Sequence, residues 1–538
     1  MNNDLIKAGI SRRSFLTGAG ALGVLAGLGL TGCGGSNSAS GSAAGSATAA
    51  DVTYRDELQV ALPASPDGLD PHTTSSLATV DIICNVVEPL FGMDKNYDPK
   101  PVLAKDYKVS DDGLTYTIEL REGVKFHNGN ELTPDDVVAS MNRWLTVNDR
   151  AASLLPGATF AASGDHAVTC TLTEPATDFL TILGAHSQYP GIFPADAISA
   201  AGDTGITDYI GTGAYKFVEW KQDQYIHLTR NDGYAPGEGK ASGYVGKVSA
   251  PTKDIYYQFA TDASTRVSAF ETGEYDIADE IPTENYHDFD GNDDVKLISH
   301  NAGVLTAFLN MNTGVFADEE IRKCALMAID CKAAALAAYG EEELFNIDPN
   351  LGNPENSAWA TDAGKKYFNQ ADPKAAKKAL AKTSYNGETV KLLTTPDYKE
   401  MYNATVALQE QLEKAGFTAE VESYEFATFM DIRSGKPDQW DLFVASTSYK
   451  PIPAQSLSVS KGFYGLSDEK ALALVAETRT ADDQKAAAKK WAECQERLYE
   501  IAVIEPLCHY VSITGIQADV EGFELLDGAI IWNAKRPQ

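Results

Sequence analysis

Histidine, the side chain that most readily exchanges a proton near neutral pH, occurs eight times, at positions 72, 127, 166, 186, 227, 287, 300 and 509. No two stand in the His-x-x-x-His spacing that puts a metal-ligating pair on one helix face. The cysteines include no Cys-x-x-Cys, so the ligand spacing of zinc and iron–sulfur sites is missing. The tightest pair, Cys324 and Cys331, lies two helical turns apart, too far for a disulfide unless a helix ends between them. There is no Gly-rich phosphate loop and no Gly-x-Ser-x-Gly elbow. Gly211-Thr212-Gly213 is too short for a dinucleotide fingerprint and runs into an aromatic strand. Asp135 and Asp136 could serve as glycosidase carboxylates, but helix capping explains them better. No reactive constellation emerges, so no catalytic residue, metal or cofactor is expected.

The elements that would position any site follow from periodicity and turn chemistry. Leu58 to Leu62 reads as a strand, followed by a turn at Ser65-Pro66-Asp67-Gly68. Leu114, Tyr116, Ile118 and Leu120 alternate as in a strand, and Asp111-Asp112-Gly113 before them is a hairpin turn. Thr133 is an N-cap, Pro134 suits the first turn, and Asp136 reaches back as in a capping box. Asp318-Glu319-Glu320 opens a helix running towards Asp330. Val390 to Thr394 is a strand; Met401, Ala404, Leu408, Leu412 and Ala415 form one helical face, stopped at Gly416. Phe417 to Val421 and Asp441 to Ala445 are further strands, and this β-α-β alternation implies an α/β lobe with partly parallel pairing. Ala487, Trp491, Cys494, Leu498 and Ile501 share a helix face before a strand from Val503 to Ile513. Cys494 there is a buried thiol or half of a disulfide.

The 538 residues carry 76 acidic against 44 basic side chains, a net charge of −32. At one domain per ~150 residues that length suggests about three domains or lobes. The acidity argues against nucleic acid as a partner, because a phosphate backbone would be repelled, and it serves solubility. The first fifty residues read as an address. Ser11-Arg12-Arg13-Ser14-Phe15-Leu16 resembles the twin-arginine export signature. Ala19 to Leu30 is apolar but too short to span a bilayer. Leu30-Thr31-Gly32-Cys33 resembles the lipobox of bacterial lipoproteins, which implies that Cys33 is lipidated and becomes the first mature residue. Gly34 to Ala50 contains only Gly, Ser, Ala, Asn and Thr, a random-coil tether. Removing residues 1–32 takes away Lys7, Arg12, Arg13 and Asp4, leaving −34.

From about residue 57 to 535 the chain resembles the family 5 solute-binding proteins of ABC importers, which include dipeptide-, oligopeptide- and nickel-binding members. The landmarks stand in family order. They begin with Ser65-Pro66-Asp67-Gly68-Leu69-Asp70-Pro71, then the run from Asp112-Gly113-Leu114 through Phe126-His127-Asn128-Gly129 to Leu132-Thr133-Pro134-Asp135-Asp136-Val137. Gly211-Thr212-Gly213-Ala214-Tyr215-Lys216-Phe217 follows, with Ala214 where proline is usual. Asp262 to Arg266, Gly273 to Ile277, Ile321 to Ala325 and Ala328 to Asp330 complete the set.

The resemblance implies an α/β fold: a two-lobe periplasmic-binding-protein-like clamp of class II type, with an extra subdomain in lobe I and two hinge crossings. The expected organisation is a signal peptide over 1–32 and lipidated Cys33 with a linker over 33–56. Lobe I follows over 57–300 with its subdomain at about 86–208, then lobe II over 301–512 and a return to lobe I over 513–538. In dipeptide-binding relatives an Asp after the lobe II strand holds the ligand's amino group and an upstream Arg its carboxylate. Here Tyr449 and Thr395 stand at those positions, so the usual charge anchors are absent. Either the ligand is a longer peptide held through its backbone, or not a peptide, or other side chains such as Asp397, Lys450 or Arg433 supply the charges. A longer peptide or a non-peptide ligand is preferred over replacement charges, with Arg433 read as a solvated loop charge. The expected ligand-binding residues are Ser65, Pro66, Asp67, Thr395, Tyr398, Trp440, Ser446, Thr447, Ser448 and Tyr449; Tyr402 and Tyr424 are further aromatic candidates. The implied role is an exported, lipid-anchored, monomeric binding protein that delivers a small solute, chiefly peptide, to an ABC permease and its ATPase, with the membrane reached through Cys33. Its rivals are an exported cofactor-bearing or hydrolytic lipoprotein enzyme, and a sensor or adhesin reusing the binding fold.

Overall fold

The computed structural model describes residues 52–538 apart from positions 75, 203, 204 and 458. The signal segment 1–32, Cys33 and linker residues 34–51 lie outside the described residues. An eleven-stranded mixed sheet runs through the described body. From one edge its order is Thr418–Ser423, Thr389–Thr394, Leu442–Ser448, Val295–Leu309, Ile504–Gln517, Ile277–Ala278, Glu57–Leu62, Asp254–Phe259, Tyr225–Arg230 and Tyr215–Lys221, with Phe345–Asn346 added beside Ile504–Gln517. The strands Thr389–Thr394, Thr418–Ser423 and Leu442–Ser448 are mutually parallel, as the β-α-β reading requires. So are Glu57–Leu62, Asp254–Phe259 and Ile277–Ala278 at the other side.

Two long antiparallel strands join these halves. Val295–Leu309 is partly exposed over most of its first eight residues and buried over its last seven. Ile504–Gln517 is buried at both ends and half-exposed at Tyr510–Ser512. The pattern follows from what each stretch meets: Val304 to Leu309 and Val503 to Cys508 belong to one apolar core, built otherwise from residues 316–502. Val295, Ile513 and Ile516 belong to cores built from residues 58–97, 189–297 and 526–534, joined by Leu344. The exposed middles are where the chain leaves one core before entering the other. A bulge at Asn301/Gly303 marks the spot.

A fourth core is built from residues 90–192, with Ile452 added. It backs a four-stranded sheet ordered Ala104–Val109, Thr115–Leu120, Ala167–Thr171, Thr159–Ala162. Tyr116, Ile118 and Leu120 point inward as their alternation predicts, and the turn before them closes with Gly113 at φ +71°. The helix Pro134–Val147 opens with the full capping box: Thr133 Oγ1 accepts from the Asp136 N–H and Asp136 accepts from the Thr133 N–H. Asp135 and Asp136 are therefore capping residues. Asp318 caps Glu319–Ala328, and that helix ends before Asp330 caps a second, Cys331–Tyr339. The helix does break between Cys324 and Cys331, yet both are free and buried, as are Cys84, Cys170, Cys494 and Cys508.

The Ser65–Gly68 segment bends at Asp67 with no backbone hydrogen bond closing it, an open turn. The loop is held from outside: Thr79 Oγ1 donates to the Gly68 carbonyl at 2.8 Å, and beyond it Arg143 pairs with Asp70 at 2.6 Å. Among the described residues no helix is long and apolar enough to cross a membrane.

Candidate functional site

Parallel strands of one sheet bring their C-terminal ends to a common edge, where loops gather and ligands bind in open α/β sheets. On one side of the crossing strands that edge carries Thr395, Tyr398, Tyr424 and the stretch Ser446–Tyr449. On the other it carries Ser65 to Asp67 after the first strand, and Asp279 and Glu280 after Ile277–Ala278. The two edges face each other across the exposed middles of the crossing strands. Ser448, Gly303 and Tyr510 stand in one row of the ladder. A Cβ on Gly303 would meet the Tyr510 hydroxyl and the Thr447 carbonyl at 2.3 Å each. Only glycine lets the Tyr510 ring cross its neighbour's backbone to bond Ser448.

Polar groups line this place from both sides. Ser446 Oγ donates to Glu400 at 3.1 Å, Tyr339 bonds Ser446, and Tyr339 stacks on Tyr510 with ring centroids 5.9 Å apart. Opposite, the Thr514 hydroxyl donates to Asp279 at 3.0 Å. Burial pushes Asp279 up to about 7, with the charges of Asp81 and Glu280 adding to the effect. Burial likewise raises Glu280 against the pull of Arg266. Glu280 also holds a left-handed backbone, φ +49°, fixed by Arg266, which donates to the carbonyls of Glu280 (2.8 Å) and Ala260 (2.6 Å). Tyr510 is raised to about 12, chiefly by burial, and feels both Glu400 and Glu280. Two carboxylates, Glu400 from one side and Glu280 from the other, thus act on one tyrosine at the gap.

Behind them lies a buried polar group. His186 Nε2 donates to Asp81 at 2.7 Å, His186 stacks on Tyr244, and Gly528 lies so close that a Cβ there would fall 2.2 Å from Asp81 Oδ1. Asp527 next to it is raised by burial and lowered by His186, Lys450 and a bond from Tyr97. His186 Nδ1 and the Tyr244 hydroxyl have no partner among the described residues. His186 and Tyr244 also wall a separate cavity of about 610 Å³, lined further by Glu88, Arg121, Tyr234 and Trp532. That cavity lies among residues 84–248 and 532, away from the crossing strands.

The residues named from sequence fare unevenly. Thr395 is buried, its hydroxyl accepting from the Asp397 N–H at 3.3 Å. Tyr398 is exposed at the edge, against Phe426 at 4.8 Å; Tyr402 and Tyr424 are exposed too. Ser446 and Thr447 are half-buried and Ser448 is exposed. Tyr449 is buried and its hydroxyl is already committed to His509 Nδ1. Since His509 Nε2 contacts the Asp348 carbonyl at 3.2 Å, the ring proton sits on Nε2 and Nδ1 accepts. Ser65 is half-buried, Pro66 buried and Asp67 exposed. Trp440 does not join them. It precedes the strand that Tyr449 follows, roughly 25–30 Å away at about 3.3 Å per residue, and packs on Phe443 with its N–H donated to the Arg433 carbonyl at 3.2 Å. Asp397 is used at the next helix, accepting from the Phe426 N–H at 2.7 Å. Arg433 is no loop charge; it sits in the helix Phe426–Gly435 over the Phe443 ring. Asp81, Asp279, Glu280, Glu400 and Asp527 were not singled out in the sequence.

Contacts beyond the gap also join the two sides. Ile452 packs into the core of residues 90–192. The Thr177 N–H donates to the Arg479 carbonyl at 2.8 Å, and Arg479 pairs with Asp178 at 3.0 Å.

Comparison with known proteins places this geometry. Residues 98–464 match the family model of bacterial extracellular solute-binding proteins, family 5. A probable peptide ABC transporter periplasmic-binding protein, y4tO of Sinorhizobium fredii, is 26% identical over 426 residues, 75% of this chain and 76% of that protein. The glutathione-binding protein GsiB of Escherichia coli K12 is 27% identical over 379 residues, 68% and 69% of the two chains. The crystal structure of the ABC transporter substrate-binding protein CtaP of Listeria monocytogenes superposes with a TM-score of 0.75 at 22% identity, covering 87% of this chain and 96% of that one. The fold is the two-lobe α/β clamp of this class.

Proposed function

The chain belongs to the bacterial extracellular solute-binding proteins of family 5, and on that footing we propose that it captures a peptide between its lobes for an ABC permease and ATPase. The observation that carries this reading is the facing of two strand-end edges, one per lobe, across Gly303 and Tyr510, with ionisable groups on both. A solute touching both edges favours the closed arrangement by whatever contacts it gains from the second lobe. Peptide is preferred because Asp279, Glu280 and Glu400 suit an amino group and because y4tO and GsiB are named for a peptide and for glutathione. The loss of the usual Asp and Arg at Tyr449 and Thr395 then reflects relocated charges rather than a non-peptide ligand.

In this reading the protein catalyses nothing and works as a monomer, exported through its twin arginines and anchored by lipid on Cys33. Lobe I comprises 57–300 with a subdomain at about 86–208 plus 513–538, and lobe II comprises 301–512. The test is native mass spectrometry of protein purified without denaturation, followed by thermal shift with tri- to pentapeptides. A peptide at one per chain that raises the melting temperature is the expected result; a ligand at 100 times its Kd stabilises by ~2.7 kcal/mol. A stoichiometric metal or chromophore would instead favour the exported-enzyme reading.

A further inference from the structure

Arg150, in the short helix Asp149–Leu154, is half-buried, and its Nη1 is buried without a hydrogen-bond partner. The other described arginines each reach an oxygen: Arg55, Arg143, Arg230, Arg479, Arg497 and Arg536 on carboxylates, Arg121, Arg266 and Arg322 on carbonyls, Arg433 on a hydroxyl. Across the gap stands Lys450, half-buried and, among the described residues, in no ion pair. Its loop is fixed: the Lys450 N–H donates to Ser456 Oγ at 2.7 Å, and Ile452 two residues on packs in the same core as Ala151 and Leu155, which follow Arg150 in the chain. Burial pushes Lys450 down to about 8, the Arg150 charge acts in the same direction, and Asp527 opposes. Asp527 also serves His186 and Tyr97.

Two like charges drawn together out of water are costly unless an anion lies between them. Arginine offers a planar fork and lysine a point charge, a combination suited to a carboxylate. We infer that Arg150 and Lys450, one from each side of the gap, receive the free carboxylate of the bound ligand. The inference rests on the peptide reading above. It gives the ligand a direction: carboxylate at Arg150 and Lys450, amino group towards Asp279, Glu280 and Glu400. It also makes lobe closure charge-dependent, because the anion relieves the repulsion that closing creates.

The test uses the tightest binder from an equimolar library of tri- to pentapeptides, remade as its C-terminal amide. For the wild-type chain, calorimetry should show the amide binding at least tenfold more weakly than the acid. Arg150→Leu and Lys450→Met should each weaken the acid at least tenfold and bind acid and amide alike. Arg150→Gln serves if the leucine variant does not fold. Equal binding of acid and amide by the wild-type chain overturns this inference and leaves the peptide reading standing. Variants that still discriminate acid from amide overturn the assignment to these residues. A wild-type chain that binds no member of the library overturns the peptide reading and the inference with it.

Discussion

Replacing Glu505 by glutamine should make the protein more stable at pH 8 than the natural chain. Glu505 lies in the crossing strand Ile504–Gln517 and is fully buried. Its Oε1 accepts from the Asn369 N–H at 2.7 Å and contacts the Cys331 thiol at 3.4 Å, while Oε2 has no partner among the described residues. Burial pushes its carboxyl up to about 8 from an ordinary 4.5. Between those values the folded chain keeps a proton that the unfolded chain has lost, so stability falls as pH rises, by about 1.4 kcal/mol per pH unit. Across the whole window the loss is roughly 3–5 kcal/mol. Glutamine has nearly the same shape and no proton to lose, so Glu505→Gln should match the natural chain near pH 5 and exceed it by most of that amount at pH 8. The assay is urea or thermal unfolding of both chains from pH 5 to 8.5, read as the difference between them. Asp279, raised to about 7, gives both chains a slope of the same sign that cancels in the difference. A difference that does not grow with pH would refute the reasoning.

Three further outcomes follow. Arg479→Ala removes the ion pair to Asp178 and the bond to the Leu154 carbonyl, so peptide affinity should fall severalfold by calorimetry while the residues around the gap are untouched. Gly303→Val places a branched side chain where Tyr510 and the Thr447 carbonyl already stand, so denaturant unfolding should show a loss of about 1–3 kcal/mol; a neutral result would mean the strands separate freely there. Cys33→Ala should release the protein from the membrane fraction after cell breakage, whereas unchanged membrane retention would rule out the lipid anchor.

The fold was legible wherever local chemistry and tertiary need agreed. The Thr133 box, the Asp318 and Asp330 caps and the Tyr116-Ile118-Leu120 alternation each specify their element from a few neighbouring residues. The site was less so. Asp279 and Glu280 follow a strand of only two residues, Ile277–Ala278, too short for any alternation to announce that its C-terminal end meets the gap. Glu400 meets them only through the sheet order, more than a hundred residues away. Arg150 gives no sequence signal at all, since its distinction is a partner it lacks. Trp440 is close to Tyr449 in sequence but not in space, because the strand Leu442–Ser448 lies between them and carries its two ends apart. The commitment of the Tyr449 hydroxyl to His509 depends on strand pairing across Val304, which no local pattern reveals.

The central claim is that a solute is held between the lobes at the crossing strands. Hydrogen exchange with and without the bound peptide tests it most directly. Slowed exchange is expected at residues 279–283, 446–452 and 510–512, on both sides of the gap together. Protection confined to residues 236–248 and the other walls of the 610 Å³ cavity, with the crossing strands unchanged, would contradict it.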